Sequence, residues 1–549
     1  MFIIDIDNKT YKFNNRITLE ELAKQLNVKA LAAKVNNRLR ELTYYINSDS
    51  VVEFIDLSDT EGVRIYQTTL RFLLVKAINN LFPNKQVRFA HHVSRSFLCI
   101  INDLVIDDEN LFKIKEELNR IISLDLDITR VRMTKEEASV IYNKEYYLDK
   151  IDVLKYRSEE LVNMYKCGDY YNYMYNYLLP RTSYITDFNL IKYESGFLVQ
   201  YPRSESKGAI PEFEDSLSLS KMIQDAYLWS KTCKISNIAS MNEFTNDREF
   251  VDFVNMCETK HNNMLSDLGL IIKGRIEDVK IIASAGPSSS GKTTFSNRLR
   301  VELMSRGIFP LMISCDDYYL NREDTPLDED GKPDFVHIVA IDLKFFNEQL
   351  SDLINGKEVT LPVFNFKTGL REKGKTVKLE KNQPIIIEGI HALNERLTSS
   401  IKRKNKFKIF ISPFPQINID NHNPIMVTDI RMLRRIVRDN LFRKTSPEKT
   451  FAMWPSVRRG EFRWIYPWQD EADYVYNTEL TYELMVMKKY ALPALREIEN
   501  DSPYYIEANR LIKFLKWIKD IDDRYVPCNS ILREFIGGSC FYEYNEWFN

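Results

Sequence analysis

The period of the apolar positions changes several times along this chain, and each change predicts an element. Residues 1–60 open on the alternating run FIIDID, a turn at Asp7-Asn8-Lys9 and then YKF, which predicts a hairpin. ITLEELAKQL follows Asn15 with apolar residues three and four apart, so it reads as a helix. LAAKVNN and VVEFIDL read as further strands of a small mixed sheet. From 61, EGVRIYQTTLRFLLVKAINNLFP predicts a long amphipathic helix closed by Pro83, and QVRFAHHVSRSFLCII alternates like a strand pair. Residues 236–265 read as a helical connector in which charged positions interleave Phe250, Phe253, Val254 and Met264, and a third unit begins near Ile271. The tail, from about 505, is read as a helix around Leu511 to Ile518 and a turn at Gly537-Gly538, packed on another domain and without chemistry of its own.

The third unit carries the chemistry. VKIIASAGPSSSGKTTFSNRLRVEL is an apolar strand, a glycine loop and a helix, the context a phosphate-binding loop requires. The run Gly286, Pro287, Ser288, Ser289, Ser290 and Gly291 is expected to turn the main-chain amides of its non-proline residues toward phosphate oxygens at the positive end of a helix. Lys292 supplies a mobile charge for the β- and γ-phosphates, Thr293 a hydroxyl for magnesium, and Thr294 completes the run, so ATP and Mg2+ are the implied cofactors. A phosphate loop alone indicates nucleotide and does not specify a kinase.

Downstream, the apolar run from Phe309 to Ser314 delivers Asp316 and Asp317 to the carboxyl end of a second strand, where one carboxylate can take the proton of an incoming hydroxyl. QPIIIEGIHAL is another buried strand and delivers Glu388 to the same edge, where it can hold magnesium. DIRMLRRIVRDNLFRK places Arg431, Arg434, Arg435, Arg438 and Arg443 on one helix and its end, suited to a lid over phosphoryl oxygens. A solvated basic helix and acids that only cap turns remain the plainer readings of the same residues.

Composition narrows the classes. A chain of 549 residues, 44% hydrophobic and 28% charged, exceeds one core and has the balance of a folded multidomain protein. The net charge of -2 demands neither nucleic acid nor an anionic membrane. The seven cysteines stand singly, which reads as a reduced, cytoplasmic protein. No basic leader opens the chain and no apolar stretch of about 18 residues occurs, so the expectation is neither export nor a membrane partner. The tyrosines between Tyr165 and Tyr177 could stack bases but read better as aromatic packing.

Three resemblances follow. GPSSSGKTT, SCDDYY, LPVFNFKTG, IIIEGIHAL and RMLRRIVRDNLFR, in that order, resemble the uridine kinase and phosphoribulokinase family over about residues 275 to 500. The first sixty residues look like a TGS domain, a β-grasp module, and the segment to about 225 resembles the second additional, α+β editing domain of threonyl-tRNA synthetases. The expected organisation is therefore multidomain, α+β and α/β. Its parts are a TGS-like unit at 1–60, a synthetase-like unit at 61–230, a connector at 231–270, a parallel-sheet P-loop kinase domain at 271–500 and a tail at 501–549. His91 and His92 are adjacent and lack the HxxxH spacing of the editing metal site.

The kinase resemblance implies Asp316 as catalytic base with Asp317 beside it, Glu388 as a magnesium ligand with Thr293, and Arg435, Arg438 and Arg443 as phosphate-clasping arginines. Tyr318 and Phe364 are carried over as acceptor-pocket residues. Arg458, in a stretch with Trp454, Arg459, Glu461 and Trp464 where the lid returns to the sheet, reads equally as lining that pocket or as a structural helix connection. Two departures bear on the acceptor: Val336 stands where uridine kinases have a ribose-gripping Asp, and Phe364 stands where they have a base-reading Tyr. The expected activity is transfer of the γ-phosphoryl of ATP to a small-molecule hydroxyl, with a nucleoside such as uridine or cytidine as first choice and a sugar or sugar phosphate as near alternative. The front domains leave open RNA as a partner in a regulatory nucleotide-binding protein, and also an oligomer.

Overall fold

The computed structural model describes residues 1–541, apart from 94, 195, 216, 245, 329, 330, 332 and 366. Asp7 and Asn8 take left-handed backbone angles, φ 48° and 63°. Phe2–Ile6 therefore turns tightly into Lys9–Phe13, as hairpin twist favours. Phe2–Ile6 also pairs in parallel with Ser50–Ile55, and Ala32–Val35 and Arg38–Glu41 complete a mixed five-stranded sheet. The helix Leu19–Gln25 starts at a reciprocal cap between Thr18 and Glu21 and buries Leu19 and Leu22 on that sheet.

The helix Thr60–Leu81 departs from the amphipathic expectation, because every residue from Gly62 to Ile78 except Arg64 is buried. Several of its polar residues are answered by hydrogen bonds. Thr68 and Thr69 hydroxyls donate to the Arg64 and Ile65 carbonyls at 2.6 and 2.8 Å, and Arg71 Nη1 donates to the His422 carbonyl at 2.6 Å. Around it stand an antiparallel sheet ordered Asn189–Tyr193, Gly196–Gln200, Ser96–Ile101, Val87–Val93, and a second sheet of Thr129–Thr134, Leu161–Cys167 and Tyr170–Asn172. Tyr165 and Tyr170 are core residues, and the Tyr173 ring lies 5.7 Å from that of Trp517. The side chains of His91 and His92 lie outside the described residues.

The third sheet is wholly parallel, in the order Leu311–Ser314, Ile385–Glu388, Ile281–Ala285, Lys406–Ser412, Tyr474–Asn477. Its three central strands are buried at every position, as a sheet covered on both faces requires. Connector and tail belong to this unit's packing. Phe253 and Leu268 of the helix Asp247–Lys273 share one core with Ile282, Phe295 and Leu299, and with Phe514, Ile531 and Phe535 of the tail. Helical periodicity shows that an apolar face exists but not which sheet it will cover.

The second unit is fastened to the third through the short strands Asn418–Asp420 and Asn423–Pro424. Asn418 Nδ2 donates to the Phe89 carbonyl at 2.7 Å. Lys150 Nζ meets Asp420 Oδ1 at 2.9 Å with both side chains almost fully buried. Among the described residues no helix is long and apolar enough to cross a membrane.

Candidate active site

The glycine loop leaves the carboxyl end of Ile281–Ala285 and enters the helix Lys292–Ser305. Ser289 and Gly291 both take positive φ, 60° and 86°, and such alternation folds successive amides into a concavity suited to anions. Gly286 is required by space, since a Cβ there would stand 2.1 Å from the Ile411 carbonyl oxygen. The hydroxyls of Ser289, Ser290 and Thr294 are buried and have no hydrogen-bond partner among the described residues. Buried orphan donors beside a helix start fit phosphate oxygens. Lys292 Nζ donates to the Pro287 carbonyl at 3.1 Å. Burial pulls its ammonium below the ordinary lysine value against the pull of Glu388, Glu534 and Asp316.

Two strand ends bring the acids to the loop. Ser314 and Glu388 are register partners, as are Ser284 and Glu388, so Glu388 emerges between the loop strand and the strand carrying the aspartates. Glu388 Oε1 accepts from Ser314 Oγ at 3.1 Å and from Thr293 Oγ1 at 3.4 Å. Burial, then Asp316, pushes its carboxyl up to about 7. Asp316 is raised by burial, opposed by Lys292 and Arg443. Asp317 is pushed up to about 6, mainly by burial, and turns the other way: its Oδ1 accepts from the Phe364 amide at 3.2 Å. The neighbouring aspartates thus differ, one set among the loop's charges and one tied to the hairpin of Val359–Asn365 and Leu370–Val377.

The five arginines split into two groups. Arg431 and Arg434 have no exposed surface and hold the loop from behind. Arg431 Nε donates to the Ser288 carbonyl at 2.8 Å. Arg434 donates to Glu483 Oε1 at 2.9 Å and to the Thr478 carbonyl at 2.8 Å. Arg435, Arg438 and Arg443 converge on one carboxylate, Asp439, at 3.2, 2.9 and 3.6 Å. Arg435 Nη1 also donates to Ser288 Oγ at 2.9 Å. Three guanidinium groups on one carboxylate leave excess positive charge, which pushes Arg443 down to about 10, chiefly through Arg438. That crowding is relieved by an added anion.

The expected acceptor residues are mostly walls. Tyr318 is buried with its hydroxyl donating to Gln349 Oε1 at 2.8 Å, and Phe364 is buried with its ring edge-on to Tyr319 at 5.7 Å. Arg458 Nη1 is engaged by Glu461 Oε2 at 2.7 Å and the Tyr466 hydroxyl oxygen at 3.0 Å. Val336 packs against Gly460. Two loop partners are not assigned to the loop from sequence: Glu461 reads there only as a candidate acceptor-pocket residue, and Glu534 has no reading at all. Glu461 Oε1 accepts from the Ser288 amide at 3.2 Å, and its spacing three residues after Arg458 on a helix was a readable signal. Glu534 Oε2 accepts from the Thr294 amide at 3.1 Å, and nothing in its local sequence marks it.

Residues 281–482 match the model of the Phosphoribulokinase / Uridine kinase family. A uridine kinase of Limosilactobacillus reuteri is 30% identical over 197 residues, which is 36% of this chain and 81% of that protein. The threonine–tRNA ligase of Thermotoga petrophila is 27% identical over 196 residues, 35% of this chain and 30% of the ligase, so the chain spans about a third of the length of that relative. A solved Bacillus stearothermophilus structure named "a Possible Uridine Kinase" is 19% identical, covering 38% of this chain and 99% of its own, with a TM-score of 0.26.

Proposed function

Because the chain belongs to the phosphoribulokinase / uridine kinase family, we propose that it transfers the γ-phosphoryl group of ATP to the hydroxyl of a small molecule, a nucleoside such as uridine or cytidine being the first candidate. The observation that carries the reading is the meeting of Lys292, Asp316 and Glu388 at one sheet edge, beside a loop with unanswered buried hydroxyls.

The loop amides and Lys292 hold the donor phosphates in line with the acceptor, and Arg435, Arg438 and Arg443 spread positive charge over the phosphoryl oxygens. Asp316 accepts the hydroxyl proton as the oxygen attacks, and its raised proton affinity suits that task. Thr293, Glu388 and Asp316 are the residues that would hold magnesium, which when bound neutralises phosphate charge. Glu388 Oε1 already sits beside Thr293 Oγ1 at 3.4 Å, an arrangement of hard oxygens that fits this ion. Positioning does most of the work, and closing the arginines excludes water.

A sugar or sugar phosphate is the second reading, favoured by Val336, which offers no acceptor to a ribose diol. The test is ADP release by the purified chain across nucleosides, pentoses and their phosphates, with Asp316→Asn in parallel. Turnover of one nucleoside that Asp316→Asn abolishes supports the first reading. Turnover confined to sugars or sugar phosphates replaces it with the second.

A further inference from the structure

The last described segment of the chain folds back onto the phosphate loop. Ile531, Leu532, Phe535 and Ile536 are buried in the core that contains the loop helix, and the Arg434 guanidinium lies over the Phe535 ring at 4.9 Å. Ile531 Cγ2 would stand 2.6 Å from a Cβ on Gly291. Glu534 takes the Thr294 amide, a donor in the first turn of the loop helix where an anion binds. On the reading that this loop binds ATP, a carboxylate of the chain therefore holds a donor that the nucleotide needs. After the turn Arg533–Ile536, Gly537 and Gly538 both take positive φ, 91° and 74°, which ends the helical turn.

Two cysteines bracket this segment. Cys528 and Cys540 are free and exposed, whereas Cys99, Cys167, Cys257 and Cys315 are buried. The Cys540 amide donates to the Cys528 carbonyl at 3.0 Å. A main-chain hydrogen bond of this length brings the two backbones within the Cα separation of about 4.4–6.8 Å at which disulfides form.

We propose that Cys528 and Cys540 form a reversible disulfide that staples residues 529–539 over the phosphate loop, keeping Glu534 on the Thr294 amide and weakening nucleotide binding. The oxidant is a low-molecular-weight disulfide. One cysteine thiolate attacks a sulfur of that disulfide and expels one small thiolate. The other cysteine gives its proton to water and, as thiolate, attacks the mixed disulfide at the protein sulfur, expelling the second. The protein pair loses two electrons, the small disulfide gains them, and the two protons finish on the released thiols. An exposed pair closing a short loop is the type that exchanges readily.

The experiment uses the full chain after incubation with oxidised glutathione or with dithiothreitol. Peptide mapping identifies the bridge, and calorimetry measures the Kd for Mg·ATP. A Cys528–Cys540 cross-linked peptide is expected, together with a Kd about fivefold or more above that of the reduced protein, reversible by dithiothreitol. Cys528→Ser and Cys540→Ser should bind alike under both conditions, and Glu534→Gln should bind more tightly when reduced. No intramolecular bridge under excess oxidised glutathione, or a bridge with unchanged or lower Kd, overturns the proposal. If the reduced protein takes up no Mg·ATP, the ATP reading fails and the locking role falls with it, while the mapped peptide still decides whether the bridge forms.

Discussion

Arg431 and Glu461 grip a single residue of the phosphate loop from both sides. The arginine Nε donates to the Ser288 carbonyl at 2.8 Å, the glutamate Oε1 accepts from the Ser288 amide at 3.2 Å, and the two side chains are joined by Nη1 to Oε2 at 3.0 Å. Neither side chain has exposed surface. Burial alone would raise the Glu461 carboxyl, but Arg431 and Arg458 outweigh it and hold it below the ordinary glutamate value.

Removing one partner leaves a buried charge unanswered, at a cost of about 3–5 kcal/mol. Arg431→Met and Glu461→Gln are therefore each predicted to lower the urea midpoint sharply, and the double variant to lose less than the sum. A double-mutant cycle in urea checks this, and strict additivity within about 0.5 kcal/mol would show that the pair does not act as a unit.

Lys292→Ala is predicted to reduce ATP turnover by about a hundredfold to a thousandfold, the usual effect of losing one charge-stabilising donor. Its unfolding midpoint should move little, because among the described residues the ammonium makes one hydrogen bond, to the Pro287 carbonyl. Steady-state ADP release beside thermal melting separates the two effects, and unchanged turnover would falsify the placement of the donor phosphates.

Asp316→Asn should lower turnover by about a hundredfold to ten-thousandfold through loss of the proton acceptor. Asp317→Asn should act more weakly and through KM, because the Asp317 carboxylate is already bonded to the Phe364 amide. Equal losses in kcat for the two variants would remove the distinction between the aspartates.

Acid should loosen the contact between front and back of the molecule. Arg510 takes Asp429 in a two-pronged bond at 2.7 and 2.6 Å, and Arg64 of the helix Thr60–Leu81 reaches Glu507 at 3.0 Å. Burial opposes ionisation of Glu507, yet Arg510 and Arg64 hold its carboxyl well below the usual value. A depressed acid contributes stability that is complete above the unfolded value, about 4.3, and is lost as pH falls through the folded one. The melting temperature should thus drop more steeply below about pH 4.3 in the parent than in Glu507→Gln. Parallel slopes for the two would exclude Glu507 as the titrating group.

The strand, loop and helix from Val279 to Ser305 were legible because glycine spacing, an apolar run and a helical period are local properties of the chain. Asp316 and Glu388 were legible for the same reason, each at the end of a short apolar run that a parallel sheet aligns at its carboxyl edge. The arginine helix was readable as basic but not as divided. Burial of Arg431 and Arg434 depends on Glu461 and Glu483, which lie 30 and 49 residues further on. Likewise the amphipathic reading of Thr60–Leu81 failed because one acceptor for Arg71, the His422 carbonyl, lies in a turn more than 300 residues away.

By itself the order of residues determined which segments are strands and helices, where the glycine loop between strand and helix sits, and which acids end the neighbouring strands. Tertiary structure decided which charges are paired, and it brought Glu534 to the loop across more than 200 residues of chain. Periodicity and turn chemistry act over a few bonds, whereas ion pairing, burial and the proton affinities that follow from them depend on neighbours supplied only when distant segments pack into one core.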